Sequence, residues 1–269
     1  MKRQSVAPRQ PETRRILVVD VGGSHVKFRV GARGRIAKFV SGPDMSPQQM
    51  VRSLLEVQPP SSYDAVSIGY PGLVLHGRIV AEPHNLGHGW VHFDFAKALG
   101  APVRMINDAA MQAIGSYAGG RMLFLGLGTG LGATLILEGV VGPMEIGHLP
   151  YRRERSFEDY VGEQGRVQLG NKKWRKVVAE VVEQLSRVLE ADYVILGGGN
   201  AKRLKSLPPT CRLGDNRNAF IGGLRMWQHA SDPLQLVTER TRRRAVDRSR
   251  TGTRRRSAAH ARVSPGRDL

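Results

Sequence analysis

The sequence predicts an α/β protein made of two related halves with a cleft between them, and three observations carry that expectation. A strand–glycine turn–strand unit opens the chain, at Ile16–Val21, Gly22-Gly23 and His25–Val30, and the same pattern returns at Met122–Leu127, Gly128-Thr129-Gly130 and Ala133–Leu137. Apolar runs that end on Gly, Asp or Asn alternate with stretches of helical period. The chain has 269 residues, of which 41% are hydrophobic, enough to core one large domain or two small ones.

The first strand runs into Asp20 and the Gly22-Gly23 turn, the second follows at once, and Gly34 turns into a third at Ile36–Val40. Three strands joined this closely form an antiparallel meander. A helix is expected over about 47–57 with Ser46 as its N-cap, since a Ser hydroxyl can accept the otherwise unpaired N–H groups of the first turn. Ala65–Gly69 reads as a short buried strand, Phe93–Leu99 as a helix, and Val103–Ile106 as a strand ending at Asn107-Asp108, where a helix starts with one of those two as its cap. After the second strand–turn–strand unit, Gly139 turns into Val140-Val141. The clearest helix is Lys172–Glu190, whose Trp174, Val177, Val178, Val181, Val182, Leu185, Val188 and Leu189 form one apolar stripe. It leads to strand Tyr193–Leu196, the Gly197-Gly198-Gly199 turn, a short helix to Leu204 and a last helix at Asn218–Trp227.

The formal net charge of +18 is unevenly spread. Residues 1–15 hold five Lys/Arg and one Glu, and residues 229–269 hold eleven Arg and four acids. Both segments have few large apolar residues and no periodicity, so both are expected to be disordered. The expected organisation is therefore a basic N-terminus at 1–15, one half at 16–106, a second at 107–228 and an Arg-rich tail at 229–269. The tail offers contact with polyanions, although no aromatic lies among its arginines for base stacking. A single cysteine, Cys211, excludes an internal disulfide and a Cys-rich zinc site within one chain. The longest uncharged run, Met122–Leu137, is 16 residues with four glycines, short of a membrane span. The first fifteen residues lack the apolar stretch of a secretory signal. The expected location is the cytoplasm.

Three glycine clusters stand at strand ends: 20–24, 126–132 and 197–200. Glycine lets backbone N–H groups converge on an anion without side-chain interference. Neither common phosphate motif fits. There is no G-x-x-x-x-G-K-[ST], and the dinucleotide fingerprint would need glycine where Leu131 stands. A strand-like run, not a helix, follows the second cluster, which points to a phosphate-cradling hairpin.

With these motifs in their order, the sequence resembles the ROK family of sugar kinases within the actin/hexokinase/Hsp70 superfamily. VVDVGGSHVK at 18–27 is similar to the family's first phosphate loop, and SIGYPGLV at 67–74 to its G-x-P-G-x-V segment. INDAAMQAIG at 106–115 resembles the segment with the catalytic aspartate, and LGLGTGLGATLILEG at 125–139 the second phosphate loop. EIGHLPY at 145–151 matches the Glu-x-Gly-His sugar motif, and VILGGGNA at 194–201 resembles the adenosine segment. The similarity spans residues 16–228, and the polyphosphate-glucokinase-like members look nearest.

The resemblance implies two ribonuclease-H-like half-domains of the actin-like ATPase fold, and a kinase transferring phosphoryl from ATP to a hexose 6-hydroxyl, glucose first. Asp108 is then the general base and Asp20 the Mg²⁺ holder. Gly22, Gly23 and Ser24 contact the transferred phosphoryl group, and Lys27 either neutralises charge nearby or is a solvated strand lysine. Gly128, Thr129 and Gly130 cradle donor phosphates, and Gly198 and Gly199 lie along the nucleotide. Asn85, Asn107, Asp108, Glu145, His148 and Glu158 are the implied sugar contacts, Asn85 through HNLGHGW and Glu158 through SFEDYVG. Read alone, Asp108 is more often a helix cap, and His148 more often a structural histidine. Many family members follow Gly-His with a cysteine-rich zinc loop; LPYRRERSFEDYVG has no cysteine, so no zinc is expected and the pocket must be braced otherwise. A homodimer is compatible with the family. Two other functions compete: a kinase fed by inorganic polyphosphate along Arg152, Arg153, Arg155, Lys172, Lys173, Arg175 and Lys176, and a non-catalytic sugar-binding regulator. The regulator is disfavoured by the retained Asp108 and by the fifteen residues before the first strand, too few for a helix-turn-helix.

Overall fold

The computed structural model describes residues 14–228 and the backbone of 235–236; most of the expected basic N-terminus and nearly all of the Arg-rich tail lie outside the described residues. Two sheets share one topology. In the first, β1 (Ile16–Val21), β2 (His25–Val30) and β3 (Ala37–Val40) form the antiparallel meander. The chain then passes through α1 (Pro47–Val57) to β4 (Ala65–Tyr70) and, after the small hairpin β5 (Val74–Leu75) and β6 (Arg78–Ile79) and helix α2 (Phe95–Leu99), to β7 (Val103–Asn107). The order is β3-β2-β1-β4-β7, with β4 and β7 parallel to β1.

Helix α3 (Asp108–Ser116) leads to the second meander, β8 (Arg121–Leu127), β9 (Leu131–Leu137) and β10 (Val140–Met144). A hairpin, β11 (Pro150–Arg152) and β12 (Arg155–Ser156), runs into α4 (Phe157–Val161) and the long α5 (Glu163–Val188). The last elements are β13 (Tyr193–Gly197), β14 (Cys211–Leu213) and α6 (Asn218–Arg225). Up to residue 228 the second sheet runs β10-β9-β8-β13-β14, with β13 parallel to β8 and β14 parallel to β13. The repeat read from the two glycine turns is thus a repeat of a whole sheet.

Each sheet buries both faces, but with different partners. Leu17, Val19, Val21, Val66, Ile68 and Tyr70 point into one core beneath α1 and α2. Leu123, Leu125, Leu127, Leu131, Val194 and Leu196 point into another, closed by Trp174, Val178, Val181, Val182 and Leu185 of α5. Between the sheets lie α3 and α6. Residues Val18 and Ser67, on the other face of the first sheet, meet α6: the Ser67 hydroxyl donates to the Gly223 carbonyl at 2.6 Å and accepts from Trp227 Nε1 at 2.8 Å. The two helices cross at glycine. A Cβ on Gly115 would collide with the Asn218 carbonyl, and one on Gly222 with the Met111 carbonyl. So α6, although last in the second half of the sequence, also covers the first sheet.

Several boundaries differ from expectation for local reasons. α5 begins nine residues earlier than the apolar stripe because two helical segments join across Gly170, whose φ of 71° breaks the helix. Phe93 stays outside α2 because Asp94 caps it, its carboxylate accepting the Lys97 N–H at 2.9 Å. Ser46 caps α1 as expected, in a reciprocal box with Gln49. Of the segment expected to be disordered, the two described residues make defined contacts: Arg15 pairs with Asp64 at 2.8 Å, and Arg14 lies 5.0 Å over the Trp227 ring. No helix among the described residues is long and apolar enough to cross a membrane.

Candidate active site

The site forms where the meander turns and the C-terminal strand ends converge, the usual place for ligands in open α/β sheets. Asp20 lies one residue before the end of β1, in register with Gly69 of β4 and Lys27 of β2. Its carboxylate is buried, which raises its pKa despite the Lys27 ammonium 3.9 Å away. The turn after it is tight: the Gly22 N–H donates to the His25 carbonyl at 3.1 Å, and the Gly22 carbonyl accepts the Ser41 hydroxyl at 2.5 Å. Ser24 is exposed at its tip.

Asp108 is the first residue of α3, directly after β7. Of the two candidate caps, Asn107 takes the role: its Oδ1 accepts from the N–H groups of Ala109 and Ala110 at 2.9 and 3.2 Å, while its Nδ2 donates to the Gly72 carbonyl at 3.1 Å. The amide of Asn107 is therefore largely spent on the turn it shapes. The Asp108 carboxyl uses one oxygen to take the Ala109 N–H at 2.7 Å. Burial pushes Asp108 up to about 7, and the neighbouring negative charges of Asp20 and Glu145 push the same way against that hydrogen bond. The close approach of α3 to β4 requires Gly69, where a Cβ would lie 3.3 Å from the Asp108 Cα and hit Met111.

The second glycine turn joins β8 to β9. A Cβ on Gly128 or on Gly199 would meet nothing within 4 Å, so both face open space. Gly130 is different, since a Cβ there would run into the Glu158 carboxylate, which accepts the Leu131 N–H at 3.0 Å. Glu158 thus sits against the phosphate-type turn as well as near Glu145. Gly198 is also committed internally: its φ of 82° lets it press on the Leu127 backbone. Thr129 presents its carbonyl to the Glu163 N–H at 3.1 Å.

Asn200, which sequence reasoning passed over, ties the two turns together. Its Nδ2 donates to the Gly128 carbonyl at 3.1 Å and to Glu163 Oε2 at 2.8 Å. Glu163 in turn pairs with Arg166, whose hydrogen bonds hold it down at about 2. The only signal was an Asn at the end of a glycine run.

The remaining polar groups come from two loops. Asn85 abuts the first turn, 3.0 Å from where a Gly23 Cβ would stand. Its loop is held by Glu82, whose carboxylate accepts the N–H groups of Trp90 and Val91 at 3.1 and 3.2 Å, and by the buried Trp90 ring against Tyr70. Glu145 and His148 face each other at 3.7 Å with about half of each side chain exposed. Burial raises the Glu145 pKa, opposed by His148. Two residues after His148 comes the β11–β12 hairpin, which stands where a zinc loop was absent from the sequence. An aromatic cluster braces it: Tyr151 stacks on Phe157 at 4.7 Å and meets Tyr160 edge-on at 5.4 Å, while Arg152 lies over the Tyr151 ring and Arg155 over the Tyr160 ring. Ser156 and Asp159 form a capping box at the start of α4, which carries Glu158.

No group of three or more metal-ligating side chains occurs among the described residues. A buried carboxylate beside a glycine turn, Asp20, nevertheless suits Mg²⁺, which takes few protein carboxylates and keeps water and phosphate oxygens as its other ligands.

Two sheets of one topology, packed on the shared helices α3 and α6, give the α/β architecture of the actin-like ATPase fold. The chain belongs to the ROK family, whose sequence model matches residues 17–172. Among solved structures, it is similar to an inorganic polyphosphate/ATP-glucomannokinase from Arthrobacter sp. strain KM, with TM-score 0.67, 21% identity, and 80% of this chain and 98% of that one covered. A ROK hexokinase from Thermus thermophilus gives 0.60, 19%, 78% and 96%. A ROK glucokinase from Streptomyces griseus in complex with glucose and AMPPNP gives 0.57, 18%, 79% and 98%. No curated protein matches the chain by sequence.

Proposed function

We propose that the protein phosphorylates a hexose, glucose first, on its 6-hydroxyl, with Asp108 as general base and ATP as donor. The observation that carries this reading is the Asp108 carboxyl, held at a helix start beside Asp20 and raised to about 7. A base is most effective when its pKa lies near the working pH, because it is then both ionised and able to take a proton. Phosphoryl transfer asks little more of the protein than positioning and charge neutralisation.

In this reading Asn85, Glu145, His148 and Glu158 hold the sugar hydroxyls, offering two carboxylates as acceptors and an amide and an imidazole as donors. Asn107 acts through the turn it caps as well as on the sugar. Gly22, Gly23 and Ser24 meet the transferred phosphoryl group, and Lys27 offsets its charge. Gly128, Thr129 and Gly130 line the donor phosphates; Gly198 and Gly199 flank the nucleoside, Gly198 by its backbone fit to Leu127. Asp20 holds Mg²⁺, which supplies charge neutralisation on the donor phosphates. The substrate hydroxyl gives its proton to Asp108 as its oxygen bonds to phosphorus and the donor leaves.

Inorganic polyphosphate is the second reading for the donor, favoured by the exposed Lys172, Lys173 and Lys176 at the start of the second segment of α5. Arg152, Arg155 and Arg175 contribute less to such a track, since they bind Glu180, Gln168 and the Arg203 carbonyl. A coupled assay with glucose, mannose and N-acetylmannosamine against ATP and polyphosphate tests both readings. Turnover of glucose with ATP is expected; no turnover with any hexose and either donor would overturn the proposal.

A further inference from the structure

A cavity of about 420 Å³ opens between β2 and α6, lined by Arg29, Asp215, Arg217, Ile221, Arg225 and Gln228 among others. None of these residues belongs to the glycine turns or to the sugar loops. On β2, Arg29 shares a face with Lys27 but lies two residues farther from the turn, opposite Val18. Over Val18 sits α6, so the cavity is on the flank of the layer between the sheets, away from the cleft.

Its charge is not balanced. Three guanidinium groups surround one carboxylate, and that carboxylate is already taken: Asp215 receives Arg217 Nη2 at 2.6 Å and Nε at 2.8 Å. Arg225 donates from Nη1 to the carbonyls of Ile114 and Tyr117 at 2.8 and 3.0 Å, which anchors it but cancels no charge. Arg29 has neither kind of partner. Its Nε is buried without an acceptor, its guanidinium lies 5.0 Å over the Phe220 ring, and among the described residues no carboxylate pairs with it. A half-buried cation with an unmade hydrogen bond is costly, because the desolvation penalty is not repaid. The missing component is an anion with several acceptor oxygens, and a guanidinium fork matches phosphate best. The cavity lies in the size range of small-molecule sites.

We propose that this cavity binds a small phosphate-bearing anion, held by Arg29 with Arg217 and Arg225, at a site separate from the cleft. Its occupant bridges β2 of the first sheet and α6, and α6 packs on the helix that begins with Asp108. The site is therefore placed to stabilise the relation of the first sheet to that helix pair.

The test is the binding stoichiometry of two probes, inorganic pyrophosphate and ribose 5-phosphate, by equilibrium dialysis with the full chain. The variants are Arg29→Met, which removes the unpaired cation, and Ile221→Glu, which adds a repelling charge at an exposed position of the wall. Both variants should bind one equivalent fewer than wild type of at least one probe, whatever the cleft itself binds, and that difference should fade as salt is raised. Loss of pyrophosphate alone assigns the site to inorganic phosphates, and loss of ribose 5-phosphate to phosphate esters. Equal stoichiometry for wild type and Ile221→Glu would overturn the proposal, even if Arg29→Met failed to fold. The readout does not involve hexose turnover, so it stands or falls independently of the proposed activity.

Discussion

Replacing Asp108 with Asn should make the metal-free protein more stable, by an amount that grows with pH. In the folded state Asp108 titrates at about 7, against 3.8 for an ordinary aspartate. Between those values the folded protein holds a proton that the unfolded chain has released, so wild-type stability falls as pH rises through the window. Asparagine keeps an oxygen for the Ala109 N–H and carries no charge, so it escapes this loss. Each unit of pKa difference is worth about 1.4 kcal/mol, which puts the full penalty near 4 kcal/mol above pH 7. Between pH 5 and pH 8 the variant's advantage should grow by roughly 2–3 kcal/mol, or several degrees in Tm at about 2–4 °C per kcal/mol. Thermal or urea unfolding in EDTA at the two pH values measures it. An advantage that is the same at both, or that shrinks with pH, would refute the claim that burial and the nearby charges hold Asp108 proton-bound.

Three further outcomes follow from the same geometry. Gly222→Leu should destabilise the fold by about 1–3 kcal/mol, since the added side chain meets the Met111 carbonyl at the helix crossing; a urea midpoint within experimental error of wild type would contradict this. Tyr151→Ala removes the centre of the aromatic brace, so the KM for sugar should rise severalfold more than the KM for the donor, as read from steady-state kinetics. EDTA should abolish turnover and Mg²⁺ restore it, while metal analysis of purified protein should find no stoichiometric zinc; one tightly held zinc per chain would contradict the reading of the cysteine-free segment after His148.

Much of the fold was legible because its signals are local. The two glycine turns, the apolar strands around them and the Ser46 cap are written in consecutive residues, and the period of Trp174 to Leu185 marks α5 without help from the rest of the chain. What was not legible depends on contacts across long distances. Nothing near Asn218–Trp227 shows that α6 returns to the first sheet, because the Ser67–Gly223 and Trp227–Ser67 bonds join residues about 160 apart. The β11–β12 hairpin was hidden for a similar reason: its stability comes from Tyr151, Phe157 and Tyr160 meeting one another, not from a strand-like run. Of the candidate site, the motif residues are gathered around two turns and one helix start, yet their division of labour was not visible. Asn107 is largely occupied as a cap, Gly198 fits Leu127, and Glu158 presses on Gly130; only three-dimensional proximity separates these from Gly128 and Gly199, which face open space.

The most direct test follows phosphorus itself. Wild-type protein, glucose, ATP and Mg²⁺ are incubated and the products read by ³¹P NMR, beside Asp108→Asn, whose glucose binding is measured separately by calorimetry. Wild type should give a glucose 6-phosphate signal, its rate cut by a factor on the order of 100 or more in the variant, with glucose binding retained in both. Wild-type protein that binds glucose but forms no sugar phosphate, or a variant that turns over at the wild-type rate, would contradict this.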